Sequence, residues 1–337
     1  MAEVGLVRFA HVAREVAAEV LPSYRSKYSK HLFTQPSLLA ILCLMRYEDW
    51  TFREAEVRLG EHQELRTALG LERVPDYTTL YRFLRRLDTD VVTHALRAAV
   101  ARLPPSSTPA GMVIAVDATG LAPTAASRYF VDLTRNRGAE RTRQHWPKWV
   151  VAVDVVRRVV LGQLAYAGPA NASSMLRPVI DLARQTGVIR LVLADAEFDS
   201  ERNHRHIRDQ VGADSIIPAK RGKPSWRLHG IRAQMRANFP TARYRPRTLV
   251  ESVFSAAKRK LSSRAPGRLS VTQHLQTLLL GLAYDIYRLR RAPSLPLCRR
   301  MSTEPGGFKT GATTYLFDGT PTHVIRIPVR MLSLAQI

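Results

Sequence analysis

Two cysteines in 337 residues leave this chain no material for a disulfide framework or a cysteine-rich zinc module. Cys43 and Cys298 are far apart, and neither has another Cys or a His at metal-ligand spacing. Cys43 falls in an apolar helical run, where a thiol behaves as a small core side chain. Long apolar runs are also missing. Leu278-Leu279-Leu280-Gly281-Leu282-Ala283 is far short of a membrane span and is followed by Asp285 and Arg288. The first twenty residues mix charge with apolar side chains and lack the uninterrupted core of a signal peptide. These absences predict a cytoplasmic protein with no membrane contact. Acidic residues are the other shortage: 28 Asp+Glu stand against 51 Lys+Arg, a net charge of +23. An imbalance of that size points to a polyanionic partner, DNA or RNA, or to a basic charge merely dispersed over the surface.

What is present is globular. Hydrophobic residues make up 45% and charged residues 23%, enough to build two or three domains at this length. The basic excess is uneven. Residues 1–102 hold 15 basic and 13 acidic side chains, whereas residues 201–268 hold 17 and 4. More than half of the net charge is thus concentrated in one fifth of the chain.

Local signals divide the sequence. Residues 1–27 read as an amphipathic helix, and residues 35–102 as a set of short helices. Pro36 opens Ser37–Met45. Thr51 with Glu54 makes a capping box ahead of Phe52–Leu59, and Gly70 ends Gln63–Leu69. Asp76 caps Tyr77–Leu87, and a last helix spans Thr89–Leu103. Short helices with tight links suit a helix-turn-helix-like DNA-binding module, with Tyr77–Arg86 as its recognition helix. Thr78, Thr79, Arg82, Arg85 and Arg86 would then face the nucleic acid; a solvated basic face on a bundle helix is the plainer reading. The Pro/Ser-rich run from Pro104 to Pro109 is the clearest linker.

Strands follow: Met112–Val116, Trp149–Val156 and Val159–Ala165, with Arg157-Arg158 at a tight turn. The helix Ser173–Thr186, the strand Leu191–Ala194, the helix Glu201–Gln210 and the short strand Ser215–Pro218 come next. The helices Arg247–Leu261 and Val271–Arg291 close the fold, the second apolar along one face and packed under the sheet. The order predicts an α/β fold with a mixed sheet and flanking helices, preceded by an all-helical N-terminal domain.

Chemistry is suggested by three carboxylates. Asp117 and Asp195 each follow an apolar strand, at the edge where ligands gather on such sheets. Arg247, Glu251 and Lys258 share one face of a later helix, four and seven residues apart. Singly, each has an ordinary explanation: a strand-end Asp as a cap, a Glu between Arg and Lys as a surface ion-pair stripe. Together, inside the basic region, they could hold two divalent ions for phosphoryl transfer, with Arg247 and Lys258 beside the phosphates. Arg135, Arg137, Arg141, Arg143, His145 and Lys148 lie between the first two strands and read equally well as a DNA-facing loop or a solvated one. Trp146 and Trp149 could stack on a base but fit a core better. Glu197 could assist the metals, and Asp199 is placed to cap the helix after it. His204 and His206, two apart on a helix, face different ways and make no convincing metal pair.

Several motifs resemble the DDE transposases of insertion sequences, members of the insertion sequence 4/5 superfamily. Tyr244, Arg247, Glu251 and Lys258 reproduce the Tyr-x2-Arg-x3-Glu-x6-Lys signature at every spacing. Ala194-Asp195-Ala196-Glu197-Phe198-Asp199-Ser200 is close to the second-Asp motif, and Asp117 sits in a suitable Val-Asp-Ala-Thr-Gly setting. Gln35-Pro36, Phe52-Arg53-Glu54 and Pro75-Asp76-Tyr77-Thr78-Thr79 resemble the helical domain of the insertion-sequence-5-like group. Only 56 positions separate Asp195 from Glu251, leaving no room for a large β-rich insertion, which favours that group. Departures are Ala172 in Asn171-Ala172-Ser173 and the acid Asp285 where many relatives carry Asn nearby.

The resemblance implies a helical DNA-binding domain over 1–103, a linker over 104–111 and a ribonuclease H-like catalytic domain over 112–292. It leaves 293–337 as a tail without an assigned role. It implies that Asp117, Asp195 and Glu251 bind two Mg²⁺ or Mn²⁺ ions and catalyse cleavage at the element ends and strand transfer to target DNA. Tyr244, Arg247 and Lys258 would position DNA. The partners implied are terminal inverted repeats, target DNA and a second copy of the chain, in a prokaryotic, nucleoid-associated setting. The rivals are a small-molecule aspartyl-phosphate phosphohydrolase, disfavoured by Thr119 two residues after Asp117, a catalytically silent DNA-binding descendant of a transposase, and a structural nucleic-acid-binding protein.

Overall fold

Four helix starts in the first hundred residues are set by side chains that satisfy otherwise orphaned amide groups. In the computed structural model, which describes residues 5–104, 111–123, 146–168, 170–220, 222 and 229–289, six helices occupy this segment. They are α1 (Leu6–Val20), α2 (Gln35–Glu48), α3 (Phe52–Glu61), α4 (Gln63–Leu69), α5 (Tyr77–Arg86) and α6 (Thr89–Ala101). The Thr34 hydroxyl accepts from the Ser37 amide, and Thr51 with Glu54 forms a complete capping box. Asp76 and Asp88 cap α5 and α6. Gly70 ends α4 in the left-handed region, at φ 64°. The N-terminal helix is shorter than its amphipathic pattern predicts, because Leu21 takes extended backbone and closes it.

All of the described residues lie within one unit, Met1–Ser294. The tail over 293–337 and the basic loop residues Arg135, Arg137, Arg141, Arg143 and His145 lie outside the described residues, as does most of the proposed linker.

Among the described residues, five strands form one sheet in the order β3-β2-β1-β4-β5. They are β1 (Met112–Gly120), β2 (Pro147–Asp154), β3 (Val159–Ala167), β4 (Ile189–Ala194) and β5 (Asp214–Ile216). β1, β2 and β3 pair antiparallel, whereas β4 joins β1 and β5 joins β4 in parallel. The turn between β2 and β3 carries Arg158 at φ 55°. This mixed sheet with its flanking helices is consistent with a ribonuclease H-like domain.

Alternation along the strands separates the two faces. Ile114, Val116, Val192 and Ala194 point to one side, where α7 (Leu176–Ala183) supplies Leu176, Val179, Ile180 and Ala183. Ala115, Trp149, Val151, Leu191 and Leu193 point to the other. That second side is covered by α11 (Leu249–Lys260) and α12 (Ser270–Leu289).

The sequence pattern predicts that the long helix α12 buries a single apolar face. It is buried on nearly all sides from Leu275 to Tyr287, because it runs between β2 and β3 on one side and α2 and α6 on the other. Leu38 to Met45 of α2 are likewise all buried. The helical segment and the sheet therefore share one core through α12. Where α12 meets the sheet, Gly281 brings its backbone against Gln163 and Trp149. The Gln163 side chain accepts from Trp149 Nε1 at 2.9 Å and donates to the Leu278 carbonyl at 2.8 Å. Trp149 also packs on Phe254 at 5.5 Å and is wholly buried, so it is a core residue and not a surface for a base.

Candidate active site

The parallel ladder between β1 and β4 ends with Val116 opposite Ala194. The next residue on each strand is a carboxylate, Asp117 and Asp195. Both have the side-chain parity of Ala115 and Leu193, so both emerge on the face covered by α11. The first strand does not stop at Val116 as expected. Its pairing with β2 continues through Asp117↔Val151 to Gly120↔Lys148, so Asp117 sits at the fork where β4 leaves and β2 stays. Asp195 caps a short 3-10 turn, accepting from the Ala196 amide at 2.7 Å.

Glu251 is in the first turn of α11, whose Val250, Val253, Phe254 and Ala257 are buried against the sheet. Ahead of it, Arg245–Thr248 forms a 3-10 turn containing Pro246. The helix expected to run from Arg247 thus begins at Leu249. The tighter turn, with Pro246 near its start, is continuous with α11 and carries Arg247 one turn ahead of Glu251.

Arg247 joins the three acids. Its Nη2 donates to Asp117 Oδ2 at 2.9 Å and lies 3.9 Å from Asp195 Oδ2, while Nη1 donates to Glu251 Oε1 at 2.7 Å. The guanidinium is largely enclosed, whereas the Glu251 side chain is 59% exposed. Burial pushes the Asp117 carboxyl above its ordinary range; the Ala118 amide and Arg247 oppose this shift, and Asp195 and Glu251 add to it. Among the described residues, no group of three or more His, Cys, Asp or Glu side chains is gathered closely enough to ligate an ion. In this arrangement the acids are spaced around an organic cation. Their chemistry is nevertheless that of a hard-cation site: three carboxylates on two rigid strands and a helix, all already within ion-pair range of one positive charge.

The other signature residues border the acids. Lys258 Nζ donates to Thr119 Oγ1 at 2.6 Å and to the Gly120 carbonyl at 3.0 Å, and burial lowers its pKa. Tyr244, at the end of α10 (Thr241–Tyr244), donates its hydroxyl to the Ala194 carbonyl at 3.2 Å. Burial pushes that hydroxyl up to about 12, so it remains a hydrogen-bond donor at neutral pH. Phe239 packs edge-on against its ring at 5.0 Å.

Lys148 pairs with Glu197 at 3.2 Å, and Glu197 also accepts from the Ala172 amide at 3.2 Å. Burial acts to lower the Lys148 pKa, but the pair with Glu197 more than offsets it. Glu197 is thus engaged away from the acid cluster. Asp199 does not cap the following helix, α8 (Glu201–Arg205). Ser200 does so, and Asp199 takes Arg232 in a two-pronged pair at 2.6 and 2.7 Å plus the Lys220 amide. His204 bonds Ser215 while His206 meets Asp181, so the two imidazoles are not a pair. Trp146, beyond the end of β1, lies against Gly120 and Gly168.

In the helical segment, Arg82, Arg85 and Arg86 are exposed along α5, and Leu80, Phe83, Leu84 and Leu87 are buried beneath them. Thr78 and Thr79 spend their amides and hydroxyls on Asp76, which leaves the arginines as the main polar surface of that helix. No helix among the described residues is long and apolar enough to cross a membrane.

Thr119 is a site neighbour that the sequence motifs do not mark, although it belongs to the Val-Asp-Ala-Thr-Gly run. Its parity with Asp117 is the signal that places it beside Lys258. In comparison with known families, a family model, the transposase DDE domain, fits residues 108–285. No curated protein matches the chain.

Proposed function

The chain belongs to the transposase DDE-domain family, and from that premise we propose that it cuts DNA at the ends of an insertion sequence of the insertion-sequence-5-like group. The freed 3′-hydroxyl then attacks target DNA. The observation that carries this reading is the approach of Asp117, Asp195 and Glu251 to the single guanidinium of Arg247. Carboxylates so far apart in sequence would have no reason to share one cation on a general protein surface.

In this reading the three acids hold two divalent cations, Mg²⁺ or Mn²⁺. When bound, such ions make water or a 3′-hydroxyl nucleophilic and neutralise charge on the departing oxygen. The protein's own contribution is placement. The strands fix Asp117 and Asp195 relative to each other, and α11 brings Glu251 over them. Lys258, steadied by Thr119 and Gly120, presents an ammonium to a phosphate next to the scissile bond. Tyr244 keeps the Ala194 carbonyl, and with it the start of the Asp195 turn, in register. Preorganised charge and orientation supply most of the rate in such chemistry.

Arg82, Arg85 and Arg86 on α5 would contact the terminal inverted repeats, and Lys148 a flanking strand. Pairing of two ends calls for a homodimer on DNA. The helical segment to residue 103 acts as the end-binding part and residues 112–292 as the catalytic part. A silent, DNA-binding descendant has no observation in its favour.

The direct test incubates the full chain with labelled duplexes spanning the junction between the element's terminal repeat and flanking DNA, with and without Mg²⁺. Metal-dependent 3′-hydroxyl ends should form at the junction. Binding with no cleavage under any metal condition would leave the silent reading in possession.

A further inference from the structure

We propose that Arg247 is the resident counter-cation of the acid cluster, one that assembles the three carboxylates in the absence of metal and must be displaced before divalent ions can enter. This deepens the reading above and rests on it, since it takes Asp117, Asp195 and Glu251 as the ion ligands.

Three observations support it. First, one guanidinium is in ion-pair range of all three acids, through both terminal nitrogens. The side chain most often expected to grip a phosphate is here committed to carboxylates. Second, Arg247 Nε is buried with no hydrogen-bond partner. An arginine placed for its own sake would satisfy that nitrogen. Leaving it bare indicates that the head group is directed by the acids rather than by a fitted polar pocket. Third, Arg247 lies in the 3-10 turn Arg245–Thr248 that leads directly into α11, one helical turn ahead of Glu251. The arginine can therefore withdraw by a change of side-chain rotamer alone, with the backbone that carries Glu251 left in place.

The electrostatics explain why such a device is needed. Asp117 and Asp195 occupy adjacent positions on neighbouring parallel strands, and Glu251 is brought against them by helix packing. Without a cation the three negative charges repel at short range in partly dehydrated surroundings. Arg247 relieves this in the DNA-free protein. Its planar fork, with several donors, can serve more than one carboxylate at once, which a lysine ammonium does less well. When DNA arrives, phosphates offer the guanidinium an alternative anionic partner. Release of the acids by Arg247 is then coupled to substrate, so that metal uptake is favoured when DNA is present.

The test is metal binding by the full chain without DNA, using Mn²⁺ and Mg²⁺ as probes in titration calorimetry. Arg247→Gln removes the competing charge. It should tighten Mn²⁺ binding at least about fivefold, the lower end of ordinary coupling between ligands. In EDTA the same variant should melt below wild type, with Mn²⁺ restoring the difference. If Arg247 only contacts DNA phosphate, metal affinity without DNA is unchanged or weaker, and the proposal is overturned. Should the glutamine variant misfold, Arg247→Lys carries the test. Its smaller reach predicts a lesser tightening in the same direction, and no tightening refutes the idea. The double variant Asp117→Asn with Glu251→Gln separates the two levels. If it abolishes Mn²⁺ binding while Arg247→Gln changes nothing, the ion ligands stand and the counter-cation role falls. If it binds Mn²⁺ as wild type does, both fall.

Discussion

Replacing Gly281 by alanine should damage this protein far more than a single methyl group suggests. The helix α12 crosses the sheet at this glycine, and a Cβ there would meet Gln163 Cδ at 2.8 Å and Trp149 Cζ2 at 3.1 Å. Gln163 cannot simply swing aside. It is buried, accepts from Trp149 Nε1 and donates to the Leu278 carbonyl. Moving it strands one or both partners in a dry interior, at about 1–3 kcal/mol for a buried group left unsatisfied. Displacing the Trp149 ring adds overpacking of about 1–3 kcal/mol. The expected loss is about 2–6 kcal/mol, less up to about 1 kcal/mol regained through helix propensity. Gly60 gives an internal control, since it lies in α3 and a Cβ there meets nothing within 4 Å. Gly60→Ala should stabilise by up to about 1 kcal/mol through helix propensity and lower chain entropy. Urea unfolding followed by circular dichroism reads both. A Gly281→Ala protein as stable as wild type would refute the close packing of α12 on β2 and β3.

Two further perturbations report on other parts of the molecule. Asp285 is fully enclosed; it accepts from the Val160 amide at 2.9 Å through one oxygen and leaves the other without a partner. Burial pushes its pKa well above the ordinary carboxyl value. A folded pKa raised above the unfolded one, about 4, means its contribution is fully present below that pH and is lost as pH rises through the folded pKa. Asp285→Asn keeps an acceptor for Val160 without a charge, so its stability relative to wild type should improve as pH rises from about 4.5 to about 8; a constant difference contradicts the assignment. Arg82, Arg85 and Arg86 replaced together by alanine should weaken binding to the terminal repeats and flatten its salt dependence, the slope falling by about 0.9 for each phosphate no longer neutralised. An unchanged slope would remove α5 from the interface.

Much of the fold is legible in local chemistry, and the exceptions have physical reasons. The capping box at Thr51, the Asp76 cap and Gly70 act within a single helical turn, so α3, α4 and α5 lie close to the limits their sequences predict. The end of β1 does not, because its last residues are held by β2, distant in the chain. Asp199 has the sequence position of a cap because its true partner, Arg232, is 33 residues away. The short helices α9 (Gly230–Ala237) and α10 carry no sequence signal; neither has a capping side chain, and neither buries a residue fully. At the site, the signature spacing places Arg247, Glu251 and Lys258 on one side of their segment. The hydrogen bond of Arg247 to Asp117 spans 130 positions and has no sequence signal of its own. Chain folding alone brings a residue expected on phosphate into the midst of the acids.

The central claim is that Asp117, Asp195 and Glu251 work as one unit on a DNA phosphate. The sharpest measurement is strand transfer from a pre-cut, labelled terminal-repeat end into plasmid DNA in Mg²⁺, with end binding measured on the same preparations. Asp117→Asn, Asp195→Asn and Glu251→Gln should each bring joining to background while binding the end nearly as wild type does. Joining that survives any one of these substitutions would contradict the account.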